Sequence, residues 1–150
     1  MDSSRLGAGD LIAAASGAAL LGALFLPWYG IELTVADVLL SGSANAWQSL
    51  TLIDVLLLGV ALAAIGVPVA RAAGWAAGES RLLVVAGALG MLLVLYRLAV
   101  LPGPGVETVG GDRIEFGREV GLVVALVAAA GVLYGGWARH GLRWPRGRRT

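Results

Sequence analysis

Residues 52–70 read LIDVLLLGVALAAIGVPVA, an apolar run whose one ionisable side chain, Asp54, sits near its start. A helix needs about 20 such residues to cross the ~30 Å hydrocarbon core of a bilayer, and this run reaches ~28 Å at ~1.5 Å per residue. Its apolar residues follow no strong helical periodicity, so no face is marked for water. Three more runs share the pattern: 11–29, with no ionisable group before Tyr29; 82–101, which carries Arg97; and 120–137, which is uncharged. The expectation is an all-α membrane protein, a four-transmembrane-helix antiparallel bundle over residues 1–137 with two outer loops. The basic tail, 138–150, is too charged and too broken by Pro145 and Gly147 to pack, and is expected to be disordered.

Composition points the same way. Hydrophobic residues make up 58% of the chain and charged residues 14%, against about 45–50% and about 25% in soluble domains. A water-soluble fold of this length would have to expose much of that apolar surface, whereas lipid accepts it. The absence of cysteine removes disulfides, thiolate metal sites and cysteine nucleophiles. All the basic residues are arginine, and with the Ala, Gly and Val bias this suggests a GC-rich bacterial genome and a bacterial plasma membrane. The first run does not fit a cleaved signal peptide. Asp2 and Asp10 flank it, it exceeds the usual apolar length, and it ends in Pro27-Trp28-Tyr29 rather than small residues.

Arginine placement sets the expected orientation. Arg5, Arg71, Arg81, Arg139, Arg143, Arg146, Arg148 and Arg149 fall on one side, and Arg113 and Arg118 on the other. By the positive-inside rule both termini and the middle turn are cytoplasmic. Trp28, Tyr29, Trp47 and Tyr96 then mark the outer interface, and Trp75, Trp137 and Trp144 the inner one. The tail arginines Arg139, Arg143, Arg146, Arg148 and Arg149 would attract anionic lipid at the cytoplasmic face, each worth ~1 kcal/mol near the surface. No nucleic-acid partner is expected, since topology already explains these charges.

Three stretches have helix-start spacing. Thr34-Val35-Ala36-Asp37 would open a short interfacial helix through Leu40, ended by Gly42 and Ser43. Asn45-Ala46-Trp47-Gln48 would start the second helix near Ala46, and Asp112-Arg113-Ile114-Glu115 the fourth near Arg113. The last two resemble each other: Trp47 precedes Arg71 much as Phe116 precedes Arg139, so the chain reads either as two duplicated hairpins or as two spans alike through topology alone. Pro102-Gly103-Pro104-Gly105 ends the third span, and residues 106–111 read as a flexible loop or short hairpin. Pro68 either kinks the second helix or terminates it.

Arg97 is the most informative side chain, because an arginine inside a span costs ~2.5–3.5 kcal/mol at mid-membrane and less near an edge. Asp54 and Glu119 lie at matching depth. Arg97 with Asp54 or Glu119 could line a polar ligand or ion site. It could instead form a structural pair fixing helix rotation, or snorkel to headgroups while Asp54 stays in the wet interface. Small residues recur every four positions at Gly117, Gly121, Ala125 and Ala129, at Ala15, Ala19 and Ala23, at Gly59 and Ala63, and at Ala86 and Gly90. Such stripes allow close helix approach, within the bundle or to a partner. His140 is the sole histidine. No metal-ligand spacing, nucleophile–base pair or phosphate-binding glycine motif is present, so no metal, cofactor or catalytic residue is expected.

The order Phe25-Leu26-Pro27-Trp28-Tyr29, Ala46-Trp47-Gln48-Ser49-Leu50 and Ile53-Asp54-Val55-Leu56-Leu57 resembles small four-span membrane proteins of high-GC actinobacteria. That resemblance covers most of the chain and implies a plasma-membrane location without an activity. Claudin-type proteins share the topology and a loop tryptophan, but this chain lacks their loop cysteines. The first functional expectation is a non-enzymatic structural or accessory protein, associating through helix faces as a homo-oligomer or within a larger membrane complex. The second is a small transporter or channel component using the Arg97, Asp54 and Glu119 layer. An intramembrane enzyme is the third.

Overall fold

The computed structural model describes residues 6–35, 38–49, 52–75, 80–100, 106–109 and 112–141. It is mostly helical, with α1 over Ala8–Ala23, α2 over Leu52–Ala72, α3 over Ser80–Ala99 and α4 over Val120–Gly141. Four strands lie between the helices: β1 (Pro27–Val35) and β2 (Val38–Asn45) after α1, and β3 (Val106–Val109) and β4 (Asp112–Arg118) after α3. α1 packs against α2 and α4, and α3 packs against the same two. α2, α3 and α4 are each long and apolar enough to cross a membrane.

The first expected span, 11–29, is corrected to a 16-residue helix. Asp10 opens it by accepting a hydrogen bond from the Gly7 backbone at 3.1 Å. Its last turn tightens, Phe25 N donating to Gly22 O and Leu26 N to Ala23 O. Pro27 then forces the residue before it out of helical geometry. α2 runs unbroken through Pro68 to Ala72, so that proline does not terminate it. Gly74 ends α2 with φ 80°. Trp75 N donates to Ala70 O and Gly74 N to Arg71 O, the paired bonds of a helix stop that needs a left-handed residue. α4 continues through residues 138–141, which are helical rather than disordered. Residues 142–150 of the tail, with Arg143, Trp144, Arg146, Arg148 and Arg149, lie outside the described residues.

The two loops expected on the outer side depart most from expectation. The short helix through Leu40 is a β-hairpin, and the fourth helix begins at Val120 because Asp112–Arg118 is a strand. The helix expected near Ala46 is a 3-10 turn, Ala46–Ser49, with α2 starting at Leu52. Residues 106–111 were expected as a loop or hairpin, and β3 pairs with β4 there. One antiparallel sheet of order β2-β1-β4-β3 results. Helix-start spacing is a local signal, and pairing between distant segments satisfies the same backbone groups over a longer stretch. Ile114 and Phe116 alternate with charged or small residues, the period of a strand. Trp47 in a 3-10 turn and Phe116 in a strand are therefore not equivalent, which weakens the reading of a duplicated hairpin.

Close approach of the helices rests on glycine. A side chain at Gly121 would sit 2.5 Å from Pro27 O and from the Trp28 ring. At Gly136 it would meet the backbone of Leu83 and Val84 within 2.9 Å, and at Gly87 it would collide with Leu133. Gly131 and Gly135 bring α4 against Ser16, Gly9 and Ala13 of α1. Of the expected small-residue stripe, Ala125 and Ala129 are fully buried, and Gly117 lies in β4 opposite Gly30. From Gly121 to Ala129 the stripe is therefore spent inside the molecule.

Candidate functional site

Two aspartate–arginine pairs join helices, one buried and one part-buried. At the sheet end, Asp54 stands in the first turn of α2 and Arg97 in the last turn of α3. Antiparallel packing puts these ends side by side, and Arg97 Nη2 donates to Asp54 Oδ2 at 2.6 Å. Asp54 is 0% exposed and Arg97 6%. Of the outcomes weighed for Arg97, the buried pair with Asp54 is the one observed, and a snorkelling arginine is not. At the opposite end Asp10 stands in the first turn of α1 and Arg71 in the last turn of α2. Arg71 Nη1 donates to Asp10 Oδ1 at 2.5 Å. Each aspartate thus sits at a positive helix terminus and each arginine at a negative one, so the macrodipoles of three helices favour all four charges.

α2 supplies one member to each pair. Asp54 and Arg71 lie ~25 Å apart along its axis at ~1.5 Å per residue, so the helix is tied to α3 at one end and to α1 at the other. Taking charges out of water is costly, and the pair returns that cost only with good geometry. Removing one partner takes the opposite charge away from a buried or part-buried group, which is the costly way to break such a pair.

β1 closes over the Asp54–Arg97 pair. Tyr29 is buried, its hydroxyl accepts a long hydrogen bond from Arg97 Nη1 at 3.4 Å, and the Arg97 guanidinium lies 5.8 Å from its ring centroid. Tyr29 belongs to a strand outside the helices; burial pushes its phenol pKa up, while the Arg97 charge pulls it down. Trp28 is fully buried, its indole N–H donating to Ala23 O at 2.6 Å. Trp28 and Tyr29 are therefore core residues rather than interfacial anchors. Trp47 stays partly exposed, its ring 5.9 Å from that of Phe25, and Trp137 is exposed.

Glu119 was the second acid expected at Arg97. Its backbone N–H donates to Trp28 O at 3.0 Å, and its carboxylate lies over Gly30, where a Cβ would collide with it. Arg118 Nε donates to Leu98 O at 2.8 Å, capping α3. Of the tail arginines, Arg139 lies within α4.

Sequence reasoning named Asp10 and Arg71 only as flanking charges. Part of the signal was available: an acid at the start of one span and an arginine at the end of the next lie at the same end once the two helices pack antiparallel. Similarly, Gly131 and Gly135 carry the four-residue spacing that α4 uses against α1. An apolar groove of about 410 Å³ also runs between α1 and α4, lined by Ala15, Ser16, Ala19, Val123 and Val127 among others. Among the described residues no group of three or more His, Asp or Glu is placed to hold a metal ion.

No family model matches the chain, and no curated protein is significantly similar to it.

Proposed function

We propose that the chain is a four-span protein of a bacterial plasma membrane, akin to the small actinobacterial proteins it resembles, with a structural or accessory role in a larger membrane assembly. Both termini and the α2–α3 turn are cytoplasmic in this reading, and the sheet lies outside. The observation that carries it is the pairing of Asp54 with Arg97 and Asp10 with Arg71. The buried charges hold helices to one another at favourable helix ends, as a scaffold requires. The arginines at the cytoplasmic end would bind anionic lipid.

Association would use the outer face of α2. Gly59 and Gly66 are exposed, and a side chain at either would meet open space. Leu52, Val55, Leu62 and Val69 are exposed beside them. Such a face lets a second helix approach closely. The test is co-purification in mild detergent. Gly59→Leu with Gly66→Leu should lose partners or self-association while leaving the monomer folded, and a wild-type chain that is monomeric and without partners would count against the reading. A transport role for the Arg97, Asp54 and Glu119 layer predicts instead that Arg97→Met with Asp54→Leu, checked to be folded, abolishes solute flux in liposomes.

A further inference from the structure

The β1–β2 hairpin separates its residue types by face. In register, Tyr29 pairs with Ala44, Ile31 with Gly42 and Leu33 with Leu40. Gly30–Ser43 and Glu32–Ser41 alternate with them, so the apolar and polar sets fall on opposite faces. Glu119 lies over Gly30, on the polar side. Leu39, the second residue of β2 and 62% exposed, is the exception on that side.

The apolar face begins against the helices and then leaves them. Tyr29 is 2% exposed and contacts Arg97 at the end of α3. Farther along the same face Ile31 is 38% exposed, Leu40 54% and Val38 58%. Sheet twist is gradual, so these residues keep the direction of Tyr29, toward the helical side of the sheet, but lie beyond the rim of the bundle. Phe25 and Leu26, just past the end of α1, are also uncovered, at 63% and 37% exposed.

We propose that this overhang seats its apolar face, Ile31, Leu33, Val38 and Leu40, on the lipid leaflet beside the bundle. The inference rests on the membrane reading above, since lipid then surrounds the rim. α1 reaches only ~24 Å at ~1.5 Å per residue, short of the ~30 Å hydrocarbon core. Phe25 and Leu26 fill the missing depth and bring the hairpin base to the headgroup level. β2 carries no charged residue, and Glu32 points from the opposite face into water. β2 is also an edge strand, and its outward backbone groups need water, which places the hairpin in the interface and not in the acyl core. The sheet is therefore a second lipid-binding surface, distinct from the helices.

The chain has no cysteine, so single labels report single sites. Leu40→Cys, Ser41→Cys and Leu62→Cys would each carry an environment-sensitive fluorophore in phosphatidylcholine–phosphatidylglycerol vesicles, with a quencher near the top of the acyl chains. Leu62, exposed in the middle of α2, reports insertion itself, read with a second quencher carried at the ends of the acyl chains. Quenching several-fold stronger at Leu40→Cys than at Ser41→Cys, with Leu62→Cys also quenched, supports the seating. Equal weak quenching at both hairpin sites with Leu62→Cys quenched overturns it and leaves the membrane reading intact. An unquenched Leu62→Cys overturns both. Spontaneous Leu40→Cys dimers with no lipid quenching would show that a second copy covers the face, and this too overturns the proposal.

Discussion

Arg97 at the end of α3 donates to the carboxylate of Asp54 at the start of α2 across 2.6 Å, and Asp10 and Arg71 repeat the arrangement at the other end of α2. The four residues come from distant parts of the chain, yet each lies in a first or last helical turn. Antiparallel packing brings such turns together, and the ion pairs join α2 to α3 at one end and to α1 at the other.

Arg97→Ala leaves Asp54 charged and buried. It is expected to cost about 3–5 kcal/mol of stability, read from denaturant unfolding in detergent micelles. Arg97→Met with Asp54→Leu removes both charges and should recover most of the loss. Wild-type stability in Arg97→Ala would remove the pair as a structural element.

Exchanging the second pair separates the ion contact from the helix-end effects, the dipole together with the Asp10 cap. Asp10→Arg with Arg71→Asp restores an ion pair but puts each charge at the wrong helix terminus, where the dipole contribution of about 0.3–1 kcal/mol per charge turns unfavourable. The swap should be more stable than Asp10→Ala and less stable than wild type. Equal stability of swap and wild type would exclude a dipole contribution.

Glycines divide by what surrounds them. Gly121→Ala places a methyl 2.5 Å from Pro27 O, a backbone atom that cannot turn aside, and should lower the melting temperature measurably. Gly59→Ala meets open space and should be neutral or stabilise by up to about 1 kcal/mol. The reverse order in thermal melts would contradict the packing of α4 on β1.

The hairpin has a register that oxidation can test. Leu33 and Leu40 are Cα partners across β1 and β2, so Leu33→Cys with Leu40→Cys should close an intramolecular disulfide under mild oxidant. A helix through Leu40 would hold the two sites far less directly. No cross-link in the monomer, seen as unchanged mobility after alkylation and reduction, would argue against the strand pairing.

Hydropathy made α2, α3 and α4 legible, because a helix is the local solution for an apolar run that must bond its own backbone. Arg97 and Asp54 stood out for a similar reason: a charge inside such a run is expensive enough to need a partner. The choice of Asp54 over Glu119 was not legible, because depth along the sequence places both acids near Arg97 and only the lateral arrangement of helices decides between them.

The sequence by itself determined that apolar helices occupy most of residues 52–70, 82–101 and 120–137, and which few ionisable residues they carry, since each depends on neighbours within a turn or two. Tertiary structure alone decided that Pro27–Val35 joins Asp112–Arg118 in one sheet, that Trp28 and Tyr29 turn inward, and that the Gly121, Ala125 and Ala129 stripe is consumed inside. Those outcomes depend on segments far apart in the chain meeting in space, where backbone pairing and close packing outweigh the local preference of either segment.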